Sequence, residues 1–308
     1  MEIAGSVETA GQEAQPAVLS VPSGRNPLSA SLRLDFERVA LTGRTVLAAS
    51  RQDPPLKVVR AFEVDDGAAL VHLHNVSGGL LGGDRLELVV NVGGGAQVQI
   101  TTTGATRVYR PRAEALAVLQ SNEIAVAENG LLEYLPDAVI PFAGARFAQR
   151  TLIRLATGAG LFWWEILAPG REARGESFQY ESVELKTDLM AAGRLVAAER
   201  VRLEPKRRSL ASPGRLGAYR TWGTFYVCRV GMEPTEWLAI ENELRGVLAL
   251  LRRREDALWG ISSLSAHGLI VRCAAKRGRD VLSGLQEVWR AAKWRLYGRA
   301  SVMPRKAN

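Results

Sequence analysis

The chain has 308 residues, 47% of them hydrophobic, and carries a formal net charge of +8. This is enough apolar material for the core of one large domain or two. The sequence contains no run of about 18 apolar residues, so no membrane span is predicted. The only two cysteines, Cys228 and Cys273, cannot form a disulfide framework. The N-terminal segment is acidic and lacks a long apolar stretch, so we expect a cytoplasmic protein without a secretory signal or a membrane partner.

Residues 1–30 are rich in Gly, Ser, Pro, Ala and Glu, show no periodicity, and are predicted to form a disordered tail. We expect residues 31–308 to form a single β-rich domain. The first strand begins near Leu32, where apolar and charged residues alternate. Residues 58–64 and 68–73 predict two strands around the turn Asp65-Asp66-Gly67, which is a typical hairpin signal.

The stretch from Gly78 to Arg110 contains the most distinctive pattern of the chain. It opens with GGLLGGD, where four glycines and Asp84 indicate positive φ angles or a close backbone approach. A phosphate-binding loop would place Lys and Ser or Thr at the start of a helix, whereas Asp84 precedes the alternating pattern of a strand. The turn at residues 93–95 then leads to a second strand, which ends in three threonines.

Similar units follow each other along the chain. Glycine-containing turns precede apolar strands that begin near Ala96, Leu131 and Leu161, and each strand leads into a polar corner. This spacing predicts a mostly β fold of stacked β-sheets resembling a β-solenoid or β-helix.

The C-terminal third is predicted to contain two amphipathic α-helices, near residues 234–253 and 280–297, because apolar residues recur there at steps of three and four. Asp280 is a candidate cap of the second helix. This third also carries most of the positive charge. No nucleic-acid-binding signature accompanies that charge, so we favour solvated basic faces over a nucleic-acid partner.

Several polar residues are candidates for metal chemistry. His72 and His74 share one face of a predicted strand, and imidazole suits zinc, copper or nickel, although two ligands do not close a site. Glu165 interrupts an apolar face and must be paired, hydrogen-bonded or functional if that face is buried. Glu133 is expected to occupy the equivalent position in the preceding unit. Glu176 is expected either to join this acidic line or to pair with a nearby arginine.

Four segments, GGLLGGDRLEL, TTTGATRVYR, LEYLPDAVIPFAGARF and WEILAPGREARGESF, resemble successive signatures of the UreD (UreH) family of urease accessory proteins. The resemblance runs from about Leu70 to the C-terminal LYGRASVMPRKAN. Two positions depart from the family pattern as we know it: Val76-Ser77 replaces a proline before the glycines, and Val302 replaces a cysteine. The motif residues, to which we assign a structural role, are Gly78, Gly79, Gly82, Gly83, Thr101, Ala105, Thr106, Tyr109, Pro141, Phe142, Gly170, Arg171 and Gly175.

The resemblance implies a mostly β, non-enzymatic chaperone of urease maturation. Its implied partners are UreF, the GTPase UreG and the urease apoprotein subunits, with the nickel carrier UreE acting indirectly. No cofactor is expected to bind tightly, although Ni²⁺ can pass transiently. The C-terminal residues Arg299, Pro304 and Arg305 are implied to contact partners.

We predict that nickel passes along a line of oxygen and imidazole groups. The candidate residues are His72, His74, Asp84, Thr102, Thr103, Glu133, Glu165 and Glu176. An alternative from the residues alone is a β-solenoid enzyme acting on polysaccharide, with Asp84 and Glu165 as acid and base.

Overall fold

The computed structural model describes residues 28–111, 116–252 and 256–303. Most of the predicted N-terminal tail lies outside these ranges, as do Pro304 and Arg305.

The described chain consists of eighteen strands and two α-helices. The strands are β1 Ser29–Arg38, β2 Thr45–Gln52, β3 Leu56–Lys57, β4 Ala61–Val64, β5 Ala68–Asn75, β6 Arg85–Val92, β7 Gln97–Thr102, β8 Thr106–Val108, β9 Val118–Val126, β10 Leu131–Tyr134, β11 Val139–Pro141, β12 Arg146–Leu155, β13 Gly160–Leu167, β14 Ser182–Ala191, β15 Arg194–Leu203, β16 Thr221–Arg229, β17 Ala257–Ser263 and β18 Gly268–Ala275. The helices are α1 Pro234–Arg252 and α2 Gly278–Tyr297.

The strands form two mixed sheets. The smaller sheet has the order β15-β14-β12-β9-β6-β1-β2, and the larger has a main path of β17-β18-β16-β13-β10-β7-β5-β3. From β5 to β14 the chain repeatedly changes sheet, and most neighbouring strands in this region are parallel. The predicted mostly β fold with two C-terminal helices is confirmed, whereas the β-solenoid assignment stays a prediction.

The alternating sequence pattern explains how the sheets pack. Apolar residues of β1, β6 and β9 face apolar residues of β5, β7 and β13, and together they fill the core between the sheets. The other face of the larger sheet packs against α1 and α2, whose apolar residues form a second core with Trp164, Phe225 and Trp259. No helix among the described residues combines the length and apolarity that crossing a membrane requires.

The two turns singled out in the sequence behave differently. The turn at Asp65–Gly67 joins the antiparallel strands β4 and β5, so the predicted hairpin is confirmed. The glycine turn at residues 93–95 joins β6 to β7, which belong to different sheets. It is therefore a crossover between the two sheets. A glycine-rich turn between two strand patterns is compatible with either a crossover or a hairpin, so the sequence does not distinguish the two.

Helix α2 is fixed to the larger sheet by a buried charge. Glu133 on β10 accepts hydrogen bonds from Trp289 Nε1 at 2.7 Å and from Lys293 Nζ at 2.8 Å. Burial raises the pKa of Glu133, and the charge of Lys293 opposes that rise. The helix begins at Gly278, so Asp280 lies in its first turn rather than at its cap.

The expected equivalence of Glu133 and Glu165 is wrong. In the parallel pairing of β10 and β13, Glu133 is opposite Phe162 and Tyr134 is opposite Trp163. Side chains alternate between the faces of a strand, so Glu133 faces the helices while Glu165 faces the other sheet.

We expect Lys293→Met to lower the free energy of unfolding by about 3 kcal/mol, because it leaves the Glu133 carboxylate buried without its cation. Chemical denaturation measures this loss. Arg290→Met on the same helix is the control, since its ion pair with Glu287 is exposed and should contribute less than about 1 kcal/mol. Equal losses in the two variants would contradict the structural role of the buried pair.

Candidate functional site

The family-like motifs meet in one corner of the molecule. Leu80 forms a parallel bridge with Val108, and β8 pairs in parallel with β11, so successive motif segments lie side by side. Tyr109 packs edge-on against Phe142 with ring centroids 4.9 Å apart, and the Arg171 guanidinium lies 4.4 Å above the Phe142 ring. We call the set Gly78, Gly79, Tyr109, Phe142, Arg171 and Glu176 the motif corner.

Glu176 closes the motif corner through an ion pair with Arg171. The Glu176 Oε2 atom accepts hydrogen bonds from Arg171 Nε at 2.9 Å and from the Ala143 backbone N–H at 3.2 Å. The hydrogen bond from Arg171 lowers the pKa of Glu176. Gly170, which precedes Arg171, and Gly175, which precedes Glu176, both have positive φ angles. These contacts give Glu176 a structural pairing, which was one of the two roles expected for it.

Gly79 shows why this corner requires glycine. Its φ angle is +156°, and a Cβ atom there would clash with the Tyr109 ring and lie 2.9 Å from the carbonyl oxygen of Arg107. The Tyr109 hydroxyl also donates to the carbonyl oxygen of Gly78 at 3.2 Å. The glycine pair therefore permits the close packing of Tyr109.

Asp84 has a structural role in the same loop. Its buried carboxylate accepts hydrogen bonds from two backbone N–H groups, that of Leu28 at 3.0 Å and that of Leu81 at 2.9 Å. One carboxylate thus joins the glycine loop to the start of β1. Because it is buried and both of its oxygens hold backbone N–H groups, Asp84 is better placed to fix the loop than to act as an acid, a base or a metal ligand.

Glu165 lies at a polar patch between the two sheets. Its Oε1 atom accepts a hydrogen bond from Gln149 Nε2 at 2.5 Å, and its Oε2 atom accepts one from Thr187 at 3.4 Å. Both donors come from the smaller sheet. They belong to a row of inward-facing polar residues that we call the polar belt: Gln120, Asn122, Gln149, Thr151 and Thr187.

The environment of Glu165 favours its protonated form. Burial raises the pKa of Glu165 to about 7, and the charge of Glu199 acts in the same direction. The hydrogen bonds from Gln149 and Thr187 oppose this rise. Both protonation states of Glu165 are therefore populated near neutral pH, which is typical of groups that exchange a proton in function.

Two neighbouring cavities lie between Glu165 and the glycine loop. The inner cavity, of about 50 Å³, is lined by Glu165, Asp137 and polar-belt residues. The loop cavity, of about 220 Å³, is lined by His74, Thr103 and the Gly78-Gly79 backbone. The residues that line both cavities are Thr102, Thr106, Gln120 and Tyr134.

The residues predicted to contact nickel do not form a single site in the structure. His74, Thr102 and Thr103 line the loop cavity, and Thr102 and Glu165 line the inner cavity. His72 packs edge-on against Phe62 and lines neither cavity. Asp84, Glu133 and Glu176 also lie outside both, in the contacts described above.

Other motif residues support the walls of these cavities. Thr101 is buried and donates to the carbonyl oxygen of Leu135 at 2.8 Å. Thr106 lies in β8, which pairs with β11 and its terminal Pro141. The loop cavity is also lined by Ala105. Gly83 has a φ of +94°, while a Cβ atom at Gly82 would meet Pro111.

Sequence reasoning missed the polar belt and Asp137. The signal was present, because Gln120 and Asn122 interrupt the apolar row of β9, and Gln149 and Thr151 interrupt that of β12. Strand register places these interruptions side by side. Asp137 gave no such signal, since its contact with Thr102 Oγ1 at 3.0 Å joins the loop after β10 to the end of β7.

No group of three or more His, Cys, Asp or Glu side chains is placed to hold one metal ion in the part of the chain that the structure describes. Cys228 and Cys273 are buried free thiols, and burial raises the pKa of each. Any metal held by the described cavity residues would have few protein ligands.

We expect Gly79→Ala to lower the free energy of unfolding by about 2 kcal/mol, because the new methyl group must displace Tyr109 or the backbone. Gly104→Ala is the matched control, since a Cβ atom there meets nothing within 4 Å. Thermal unfolding of both variants measures the difference. A Gly79→Ala protein as stable as the control would show that the motif corner is not tightly packed.

We expect Glu165→Gln to flatten the pH dependence of stability. A carboxyl group with a raised pKa contributes stability that is fully present below its ordinary value of 4.5 and is lost as pH rises through about 7. The wild type should lose on the order of 2 kcal/mol across this window relative to Glu165→Gln. Urea unfolding at a series of pH values measures it, and parallel curves for the two proteins would refute the raised pKa.

Comparisons with known proteins identify the family to which this chain is similar. The family model described as UreD urease accessory protein matches residues 28–308. A urease accessory protein UreD from Herpetosiphon aurantiacus is 44% identical over 275 residues, covering 89% of this chain and 95% of the relative. Another, from Cenarchaeum symbiosum, is 30% identical over 284 residues, covering 90% of this chain and 95% of the relative.

A third relative, the urease accessory protein UreD of Halalkalibacterium halodurans, is 35% identical over 201 residues, covering 65% of this chain and 73% of the relative. The family match covers all of the described residues, including every strand and both helices. The chain belongs to the UreD family of urease accessory proteins.

Proposed function

We propose that this protein is a non-enzymatic, cytoplasmic scaffold of urease maturation that passes nickel through its interior. In this proposal residues 31–308 act as one domain that assembles with UreF, the GTPase UreG and the urease apoprotein, and UreE supplies nickel indirectly. Family membership supports a role in urease maturation. The observation that supports the nickel path is that the loop cavity and the inner cavity share Thr102 in their walls, and that Glu165 lines the inner cavity.

The chemistry of the cavity walls suits a transient cation. The path begins at the His74 imidazole and the Thr103 hydroxyl, continues past Thr102 and Asp137, and reaches Glu165. Imidazole and oxygen groups are ligands that nickel accepts. The inner cavity also exceeds the roughly 10–15 Å³ that one water requires, so water can complete the coordination.

Weak retention follows from the same residues. Metal binding to a carboxyl group releases its proton, so a group with a pKa near 7 gives up the proton for the metal and takes it back on release. A closed set of several ligands would hold nickel tightly and slow its transfer. Glu165 and scattered hydroxyls are therefore better suited to passage than to storage.

The polysaccharide enzyme is the weaker alternative. It requires Asp84 as an acid or base, but both Asp84 oxygens accept backbone hydrogen bonds. Asp84 also lines neither cavity, whereas Glu165 lies between the sheets. The contacts of these two carboxylates therefore favour the scaffold over the enzyme.

We expect Glu165→Gln to lower the nickel content of urease about tenfold when the protein is coexpressed with the urease subunits, UreF and UreG. The substitution keeps the shape of the side chain but removes the exchangeable charge. Nickel per purified urease is the readout, and pull-down of the partners checks that the complex still assembles.

Glu87→Gln is the control for this experiment, because Glu87 is an exposed carboxylate on the outer face of the smaller sheet. It should load urease as the wild type does. Normal loading with Glu165→Gln would contradict the path through the inner cavity, while failure of both assembly and loading would assign Glu165 a structural role instead.

A further inference from the structure

The two sheets separate at one edge and leave an open cleft with a volume of about 620 Å³. One wall is the edge strand β15, and the other is formed by β16, β18 and β17. We call it the edge cleft, and its apolar lining consists of Val201, Leu203, Leu210, Leu216, Trp222 and Leu258. It is distinct from the inner cavity, although Trp222 lines both.

Strand register explains why the cleft is apolar. Trp222 on β16 pairs with Ala274 on β18, which pairs with Leu258 on β17, so the three side chains form one row. This row lies on the face that α1 and α2 do not cover, because their contacts are with the alternate residues Trp259 and Cys273. The row faces β15 across the cleft.

The inner end of the cleft is closed by polar contacts between the sheets. Glu199 on β15 accepts a hydrogen bond from the Tyr226 hydroxyl at 2.8 Å and forms an ion pair with Arg272 at 3.2 Å. The outer end is open, and the Leu258 side chain there is 57% exposed. Covering such apolar surface favours binding, because it removes the surface from water.

The rim of the cleft is basic. Arg202, Arg215 and Arg272 line it, and two of them are already paired, Arg202 with Glu204 at 3.1 Å and Arg272 with Glu199 at 3.2 Å. Arg215 donates to the carbonyl oxygen of Arg208 at 3.1 Å, and it forms no ion pair with a carboxylate among the residues that the structure describes. An occupant with carboxylates would therefore find available positive charge.

We propose that the edge cleft docks a segment of a partner protein that carries large apolar side chains next to carboxylates. The apolar lining supplies affinity, and the arginine rim selects acidic over basic segments. The inference rests on the proposed function only in that urease maturation requires protein partners. It does not depend on a nickel path.

The test uses the full chain and a fluorescent designed peptide that repeats Glu-Leu-Glu-Trp. We expect the protein to bind this peptide at least about tenfold more tightly than a matched peptide with Lys at each Glu position. Leu258→Glu and Arg215→Glu should each weaken binding of the acidic peptide by about tenfold or more. Fluorescence anisotropy measures the affinities, and no nickel is present.

Two matched variants control for general effects on folding and charge. Leu238→Glu alters a leucine on α1 that is 58% exposed, and Arg154→Glu alters an exposed arginine on β12 outside the cleft. Both should bind the acidic peptide as the wild type does. Equal weakening in the control and cleft variants, no binding, or preference for the basic peptide would overturn the proposal.

A photo-crosslinking residue at position 258 identifies the natural occupant in cells that express the urease subunits and the accessory proteins. We expect crosslinks to an acidic, apolar segment of one of those proteins. Crosslinks to residues 1–27 of the same chain, or to a second copy, would assign the cleft to those occupants and overturn the proposal. Because the readout is contact rather than nickel content, it stands or fails separately from the path through Glu165.

Discussion

The position of the partly buried Glu165 between the two sheets is the constraint on which the interior of this protein depends. A carboxyl group in such a place must be hydrogen-bonded, and the donors come from Gln149 and Thr187 on the opposite sheet. The two layers must therefore keep a fixed register. Parallel pairing through β9, β12 and β14 provides that register and places the polar belt in one row. Part of the apolar core is given up to a small cavity into which Glu165 and polar-belt side chains bring polar groups, and this is where the proposed nickel path ends.

The larger sheet has two faces with different roles. On the side of the smaller sheet, Glu165 accepts hydrogen bonds from neutral donors, and burial raises its pKa to about 7 against the effect of these bonds. On the side of the helices, Glu133 is held by the charge of Lys293 and by Trp289, and this contact fixes α2. The two carboxylates lie on neighbouring strands. The face toward which each strand turns its carboxylate decides whether that group is exchangeable or structural.

The surface features continue the internal ones. Gly78 and Gly79 of the motif corner line the loop cavity, while Trp222 lines both the inner cavity and the edge cleft. Glu199 links the two regions, because it closes the cleft and its charge acts on the pKa of Glu165. A partner segment in the cleft would therefore lie next to Glu199, whose charge helps to raise the pKa of Glu165. The proposed docking of a partner segment and the proposed passage of nickel would then both involve the surroundings of Glu199.

The sequence by itself determined the family, the mostly β fold, the two C-terminal helices and Glu165 as an unusual carboxylate. These follow from local periodicity and from motifs, which are properties of short segments. It did not determine that Asp84 binds the Leu28 backbone, that Glu133 faces α2, or that the turn at residues 93–95 changes sheet. Such contacts join residues far apart in the chain, and a strand pattern does not say which face a neighbouring strand presents. Only the tertiary structure could align Gln149, Thr187 and Glu165 around one cavity, because strand register decides which polar interruptions meet.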